Sequence, residues 1–204
     1  MGLFHDVPMF KNFLIVFFVL ILVACAASPS PSPTPAPGRV EDDQQAVYAA
    51  LLHKLYTSSN FVIMDTTATS PSGVEDTPAI LDNILQNMHG VDPETADSFR
   101  VRNNASFPVS PHMDLGAPYF LLTRDQMKQL FNQNQDGWQL FYEQYPGAPG
   151  ITTLSQVGFN LNFDQALVYV GTMSHWLAGA GYFVLLNKVN GTWVFDQQIM
   201  SWIS

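Results

Sequence analysis

Residue types able to do chemistry are scattered along this chain, so their spacing has to assign their roles. Four histidines, His53, His89, His112 and His175, follow the targeting segment. No two of them stand three or four residues apart, so no helix offers a histidine pair to a metal. His112-Met113-Asp114 is an H-x-D pair that an extended segment could present with His175 as a third ligand, a set of zinc or iron type. The preferred reading of these residues is solvated loop positions, because one such pair arises easily by chance, and neither a metal nor another cofactor is expected.

Ser155 is the hydroxyl to consider as a nucleophile, although no G-x-S-x-G elbow surrounds it. A triad needs a base within hydrogen-bond reach of the serine and a third group to orient that base. His175 and Asp65 are the residues to nominate. Asp65 and Glu143 are the carboxylates to weigh for glycoside cleavage, but nothing in the sequence sets their separation. Asp65-Thr66-Thr67 also reads as a turn, with short polar side chains bonding to nearby backbone.

The aromatic residues are the most distinctive group. Trp138, Phe141, Tyr142 and Tyr145 recur at i, i+3, i+4 and i+7, a single helical face. Such a face either packs as core against a sheet or forms one wall of a binding cleft, with the tyrosine hydroxyls as polar handles. The spacing predicts Trp138 and Phe141 in the core and a partly exposed hydroxyl end on Tyr142 or Tyr145. The stretch Met173 to Gly181 (MSHWLAGAG) predicts a mobile turn between two strands. Trp176 on it is either tucked over the sheet edge or exposed as a contact residue.

These residues have to be positioned by a core. Val40 to Tyr56 has helical spacing, with Val47, Leu51, Leu52 and Leu55 on one stripe and acidic residues in the first turn. Phe61 to Met64 reads as a short buried strand. Thr77-Pro78 and Asp92-Pro93 each look like a cap followed by proline at the first helical position. Residues 107 to 118 hold three prolines and predict irregular chain, and Tyr119 to Leu122 reads as a strand. Thr123 with Gln126 forms a capping box, and Asp136 to Tyr145 is a further helix. Leu154 to Phe159, Gln165 to Thr172, Tyr182 to Val189 and Thr192 to Ile203 read as strands, the last two joined by an Asn190-Gly191 type I′ turn. Helices first and strands last predict an α+β fold: N-terminal helices packed on one face of a C-terminal antiparallel sheet of four or more strands.

Composition narrows the partners. The net charge is −9, and beyond Lys128 the only basic side chain is Lys188. This balance argues against nucleic acid and against electrostatic docking on anionic lipid. Cys25 is the only cysteine, so the domain has no internal disulfide and no thiol chemistry.

Cys25 sits instead at the end of an apolar run of about fifteen residues, Phe13 to Ala27, short of the roughly twenty that span a membrane. Leu22-Val23-Ala24-Cys25 resembles the lipobox of bacterial lipoproteins, in which cleavage precedes the cysteine and its thiol takes lipid. Ser28 to Pro37 (SPSPSPTPAP) predicts an extended polyproline spacer of about 3.1 Å per residue. The organisation is then a signal peptide over residues 1–24, a lipidated cysteine and tether over 25–38, and one α+β domain over 39–204. The expected location is the cell membrane, lipid-anchored on the extracytoplasmic face.

Further along, Ser155-Gln156-Val157-Gly158-Phe159-Asn160, Gln165 to Val170, Gly179 to Leu186, Gly191-Thr192-Trp193 and Trp202-Ile203-Ser204 together resemble a family of uncharacterised exported bacterial lipoproteins. The resemblance covers the last third of the chain and implies an extracytoplasmic setting without a particular activity. The final hairpin is also similar to those of cone-shaped α+β folds related to nuclear transport factor 2. The sequence therefore favours a membrane-tethered binding or interaction module of the cell envelope, with Tyr142, Tyr145, Trp176, Asp65, Ser155 and His175 as candidate binding residues. The alternative is an envelope-associated hydrolase using Asp65, Tyr142, Ser155 or His175. Convergence of those four residues in space would favour the enzyme.

Overall fold

Consecutive buried side chains over residues 165–172 and 183–186 mean that both faces of the sheet must be covered there. A computed structural model describes residues 38–58, 60–69, 77–132 and 136–204, together with Gly2. The signal peptide apart from Gly2, together with Cys25 and the tether as far as Pro37, lies outside the described residues. The elements run α1 (Arg39–Leu55), β1 (Phe61–Met64), α2 (Thr77–Asn87), α3 (Pro93–Arg102), β2 (Tyr119–Leu122), α4 (Arg124–Phe131), α5 (Gly137–Gln144), β3 (Ile151–Leu154), β4 (Gly158–Phe159), β5 (Gln165–His175), β6 (Ala178–Val189) and β7 (Thr192–Ile203). The sheet order is β2-β1-β3-β5-β6-β7, and β4 pairs separately with β5.

The chain is α+β, but its sheet is mixed. β1 runs parallel to both β2 and β3, while β3, β5, β6 and β7 pair antiparallel. The expectation of a purely antiparallel sheet is therefore corrected. The reason is connectivity: α2 and α3 separate β1 from β2, and helical crossovers of that length return the chain in the same direction. Helices and strands also alternate through the first two thirds of the chain rather than forming two blocks.

Helices cover both faces, not one. α1 buries Val47, Tyr48, Leu51 and Leu52 against Phe61, Ile63, Val168, Val170, Val184 and Leu186. Each such fully buried aliphatic side chain contributes about 1.5–3 kcal/mol. The Asp43 carboxylate fixes the angle of α1, accepting from the Lys188 ammonium and, at 3.0 Å, from the Trp193 indole N–H. The alternate residues of β5 and β6, Leu167, Tyr169, Phe183 and Leu185, face the other way and meet α2 and α3 through Leu81, Ile84 and Phe99. α5 sits further along this second face, where Trp138 and Phe141 pack on Val62, Met64, Leu122 and Ile151.

Local signals set several boundaries. The Thr123 hydroxyl accepts from the Gln126 N–H at 3.1 Å, and the Gln126 side chain accepts from the Thr123 N–H at 2.9 Å, completing the capping box. Asn190 and Gly191 have φ of 50° and 82°, as a type I′ turn requires. The strand expected over Leu154 to Phe159 is instead split into β3 and β4. Ser155 still meets Tyr169 of β5, but through its N–H to the Tyr169 carbonyl and its Oγ from the Tyr169 N–H, and the next two amides turn away, Gln156 N–H donating to the Asn103 side chain and Val157 N–H to that of Gln44. The mobile turn expected over Met173 to Gly181 is also corrected. β5 continues to His175 and β6 begins at Ala178, so the glycines there are strand residues.

Candidate functional site

On the second face, α2 and α3 cover one end of the sheet and α4 and α5 the other. Between them lies an open cleft of about 1530 Å³. Its floor is made by a row of cross-strand partners, Thr153, Gly171, Gly181 and Trp202, contributed in turn by β3, β5, β6 and β7. Two of the four positions have no side chain, and the Trp202 indole folds back over them. A Cβ on Gly181 would lie 2.1 Å from Trp202 Nε1, and one on Gly171 would lie 2.5 Å from the Tyr169 hydroxyl oxygen. Gly179 in the next row has the edge of the same ring within 3.0 Å of its would-be Cβ. The Trp202 N–H donates to the Tyr169 hydroxyl at 2.7 Å, which fixes the ring flat on this glycine bed. Burial pushes the Tyr169 phenol pKa up, opposed by this hydrogen bond, so the neutral hydroxyl persists at physiological pH.

The walls are mixed in character. One carries Phe99 and Arg100 from α3 and Leu81 and Asp82 from α2. The Arg100 guanidinium is bonded to Asp82 at 2.7 Å and to Asp97 at 2.9 Å. The other carries Arg124, Met127, Lys128 and Phe131, the i, i+3, i+4 and i+7 stripe of α4. Trp138 and Trp176 close the cleft beside them, so three of the chain's four tryptophans border it. Aromatic and aliphatic surface interrupted by polar side chains can bury the body of an organic molecule and fix its orientation.

The residues singled out from the sequence fall in different places. Trp176 combines both alternatives weighed for it: it packs edge-on against Phe131, with centroids 5.3 Å apart, and stays 54% exposed at the cleft rim. Trp138 and Phe141 are core, at 4% and 0% exposed. Tyr142 is half-buried and donates its hydroxyl to the Ser174 carbonyl at 2.8 Å, while burial raises its phenol pKa. Tyr145 is buried, and its hydroxyl accepts from the Gln144 side chain. Ser155 borders the cleft but is 1% exposed, and its Oγ donates to the Gln156 carbonyl while accepting from the Tyr169 N–H. His175 is exposed and stacks over Trp138 with centroids 6.3 Å apart. Asp65 follows β1 with its backbone bonded to Leu122 and Val109, and its neighbours Met64 and Thr66, not Asp65 itself, line the cleft.

No hydrogen bond among the described residues joins any two of Asp65, Tyr142, Ser155 and His175. Glu143 is exposed and accepts from Gln139. The H-x-D pair shapes a turn, where the Asp114 carboxylate accepts from the Gly116 N–H at 3.1 Å. Among the described residues no group of three or more histidine, aspartate or glutamate side chains is placed to hold a metal ion. Likewise no described helix is long and apolar enough to cross a membrane.

Comparison with protein-family models, with curated proteins and with solved structures gives no match. Function therefore has to be argued from the cleft. Sequence reasoning missed its floor and its α4 wall. The signals were present as glycines in mid-strand, which mark close approach by another group, and as cations interleaved with Met127 and Phe131 on one helical stripe.

Proposed function

We propose that this protein is a membrane-tethered binding module of the cell envelope, anchored through lipid on Cys25, with the sheet-face cleft as its ligand site. The observation that carries the binding reading is Trp202 laid on Gly171, Gly179 and Gly181. Bulky β-branched residues on those strands would have filled the cleft and stabilised the sheet. Three unfilled positions under one aromatic ring keep an apolar floor open to solvent instead. Burial of an aliphatic or aromatic body there is favourable by about 25 cal/mol per Å² of apolar surface removed from water.

The full chain in phosphatidylcholine nanodiscs, titrated with ω-bromoundecanol, tests this. Bromine quenches indole fluorescence only at contact, so binding reads as saturable quenching beyond that of empty-disc controls. Gly181→Ala must lift the Trp202 ring, and a roughly tenfold weaker affinity is expected. An unchanged affinity in Gly181→Ala would remove the cleft from consideration. The anchor is tested separately by feeding cells a radioactive fatty acid. Wild type is expected to take up label and Cys25→Ser to take up none; an unlabelled wild type would refute the lipoprotein reading.

A further inference from the structure

We propose that the cleft selects a single-chain anionic amphiphile, with its carboxylate held by Arg124 and Lys128 and its chain laid over Trp202. The inference rests on the cleft being the ligand site and adds the chemistry of the head group. The chain as a whole carries a net charge of −9, yet three cations border this one cleft, Arg100, Arg124 and Lys128. Asp82 is the only acidic side chain among the described lining residues, and it is bonded to Arg100.

Arg124 and Lys128 are differently placed from Arg100. Arg124 has no carboxylate partner among the described residues, and Lys128 has only the exposed Asp125 at 3.3 Å. They sit one turn apart on the stripe of α4 that also carries Met127 and Phe131. One helical face thus offers charge and apolar contact to the same molecule. The planar guanidinium can donate two parallel hydrogen bonds to a carboxylate, and the neighbouring ammonium adds a point charge. The apolar floor begins beside them with Trp138 and Ile151 and runs to Trp202. At about 1530 Å³ the cleft has room for such a chain.

The test uses three bromine-tipped probes of equal chain length on the full chain in phosphatidylcholine nanodiscs: ω-bromoundecanoate, ω-bromoundecanol and ω-bromoundecyl-trimethylammonium. Wild type is expected to bind the carboxylate about tenfold more tightly than the alcohol, and the ammonium most weakly. Arg124→Gln combined with Lys128→Gln should bring the carboxylate to the affinity of the alcohol and leave the alcohol unchanged. Both side chains are exposed, so the variant is expected to keep its fold. Equal affinities for all three probes in wild type, or a preference that survives the double substitution, would overturn the head-group assignment while leaving the cleft as a binding site. Quenching by none of the three would overturn the cleft reading itself, and this inference with it.

Discussion

Gly158→Ala is expected to cost about 3 kcal/mol of stability or more, at the upper end of overpacking effects. A Cβ at Gly158 would stand 2.4 Å from the Phe99 backbone nitrogen and 2.6 Å from its Cα. Those atoms belong to α3 itself, so no rotamer change relieves the clash and the helix has to move off β4. Moving it strains the Phe159 N–H bond to the Ser98 hydroxyl and the edge-to-face contact of Phe99 with Phe183. Gly191→Ala is the control, because Gly191 has open space around it and only its φ of 82° to lose. That change should cost about 1 kcal/mol. Urea midpoints of the two variants decide the matter: if Gly158→Ala shifts the midpoint no further than Gly191→Ala, α3 is not seated on the strand as described.

The second large effect is at Trp138. Trp138→Ala should cost about 3–5 kcal/mol, the range for emptying a large aromatic site in a core. The indole is wedged among Phe131, Phe141 and Tyr142, with centroids 5.0, 5.6 and 6.1 Å away. Its N–H finds no acceptor among the described residues, so the loss is one of packing rather than of a hydrogen bond. Tyr145→Phe removes only the acceptor for Gln144 and should cost about 1 kcal/mol at most. Equal midpoints for these two variants in urea would show that the α5 face is not core.

The aromatic face of α5 was legible in advance because four large residues at helical spacing have few other arrangements. The capping box at Thr123 and the Asn190-Gly191 turn were legible for the same reason: each is a local device whose residues lie within three positions of one another. What escaped sequence reasoning was long-range. The runs at Phe61 and Tyr119 are four residues each, enough to identify a strand but not its partner. Their parallel pairing follows from the helices between them. The glycines of the MSHWLAGAG stretch suggested a flexible turn because glycine usually does. Their actual role depends on Trp202, more than twenty positions away, which seats itself on them. Asp65, Ser155 and His175 were nominated by residue type, and type carries no information about distance.

The wall that carries Arg124 and Lys128 is also the least buried of the described helices. α4 buries no residue fully and touches the core only through the partly exposed Met127, Leu130 and Phe131. At eight residues it is too short to hold helical structure without support beyond its capping box. Its amides should therefore exchange with solvent through local opening, well before those of β5 and β6. A molecule bridging α4 to the sheet would have to supply the missing contacts from its own binding energy, so affinity and the ordering of α4 are thermodynamically linked. Slower amide exchange in α4 would then report occupancy of the cleft.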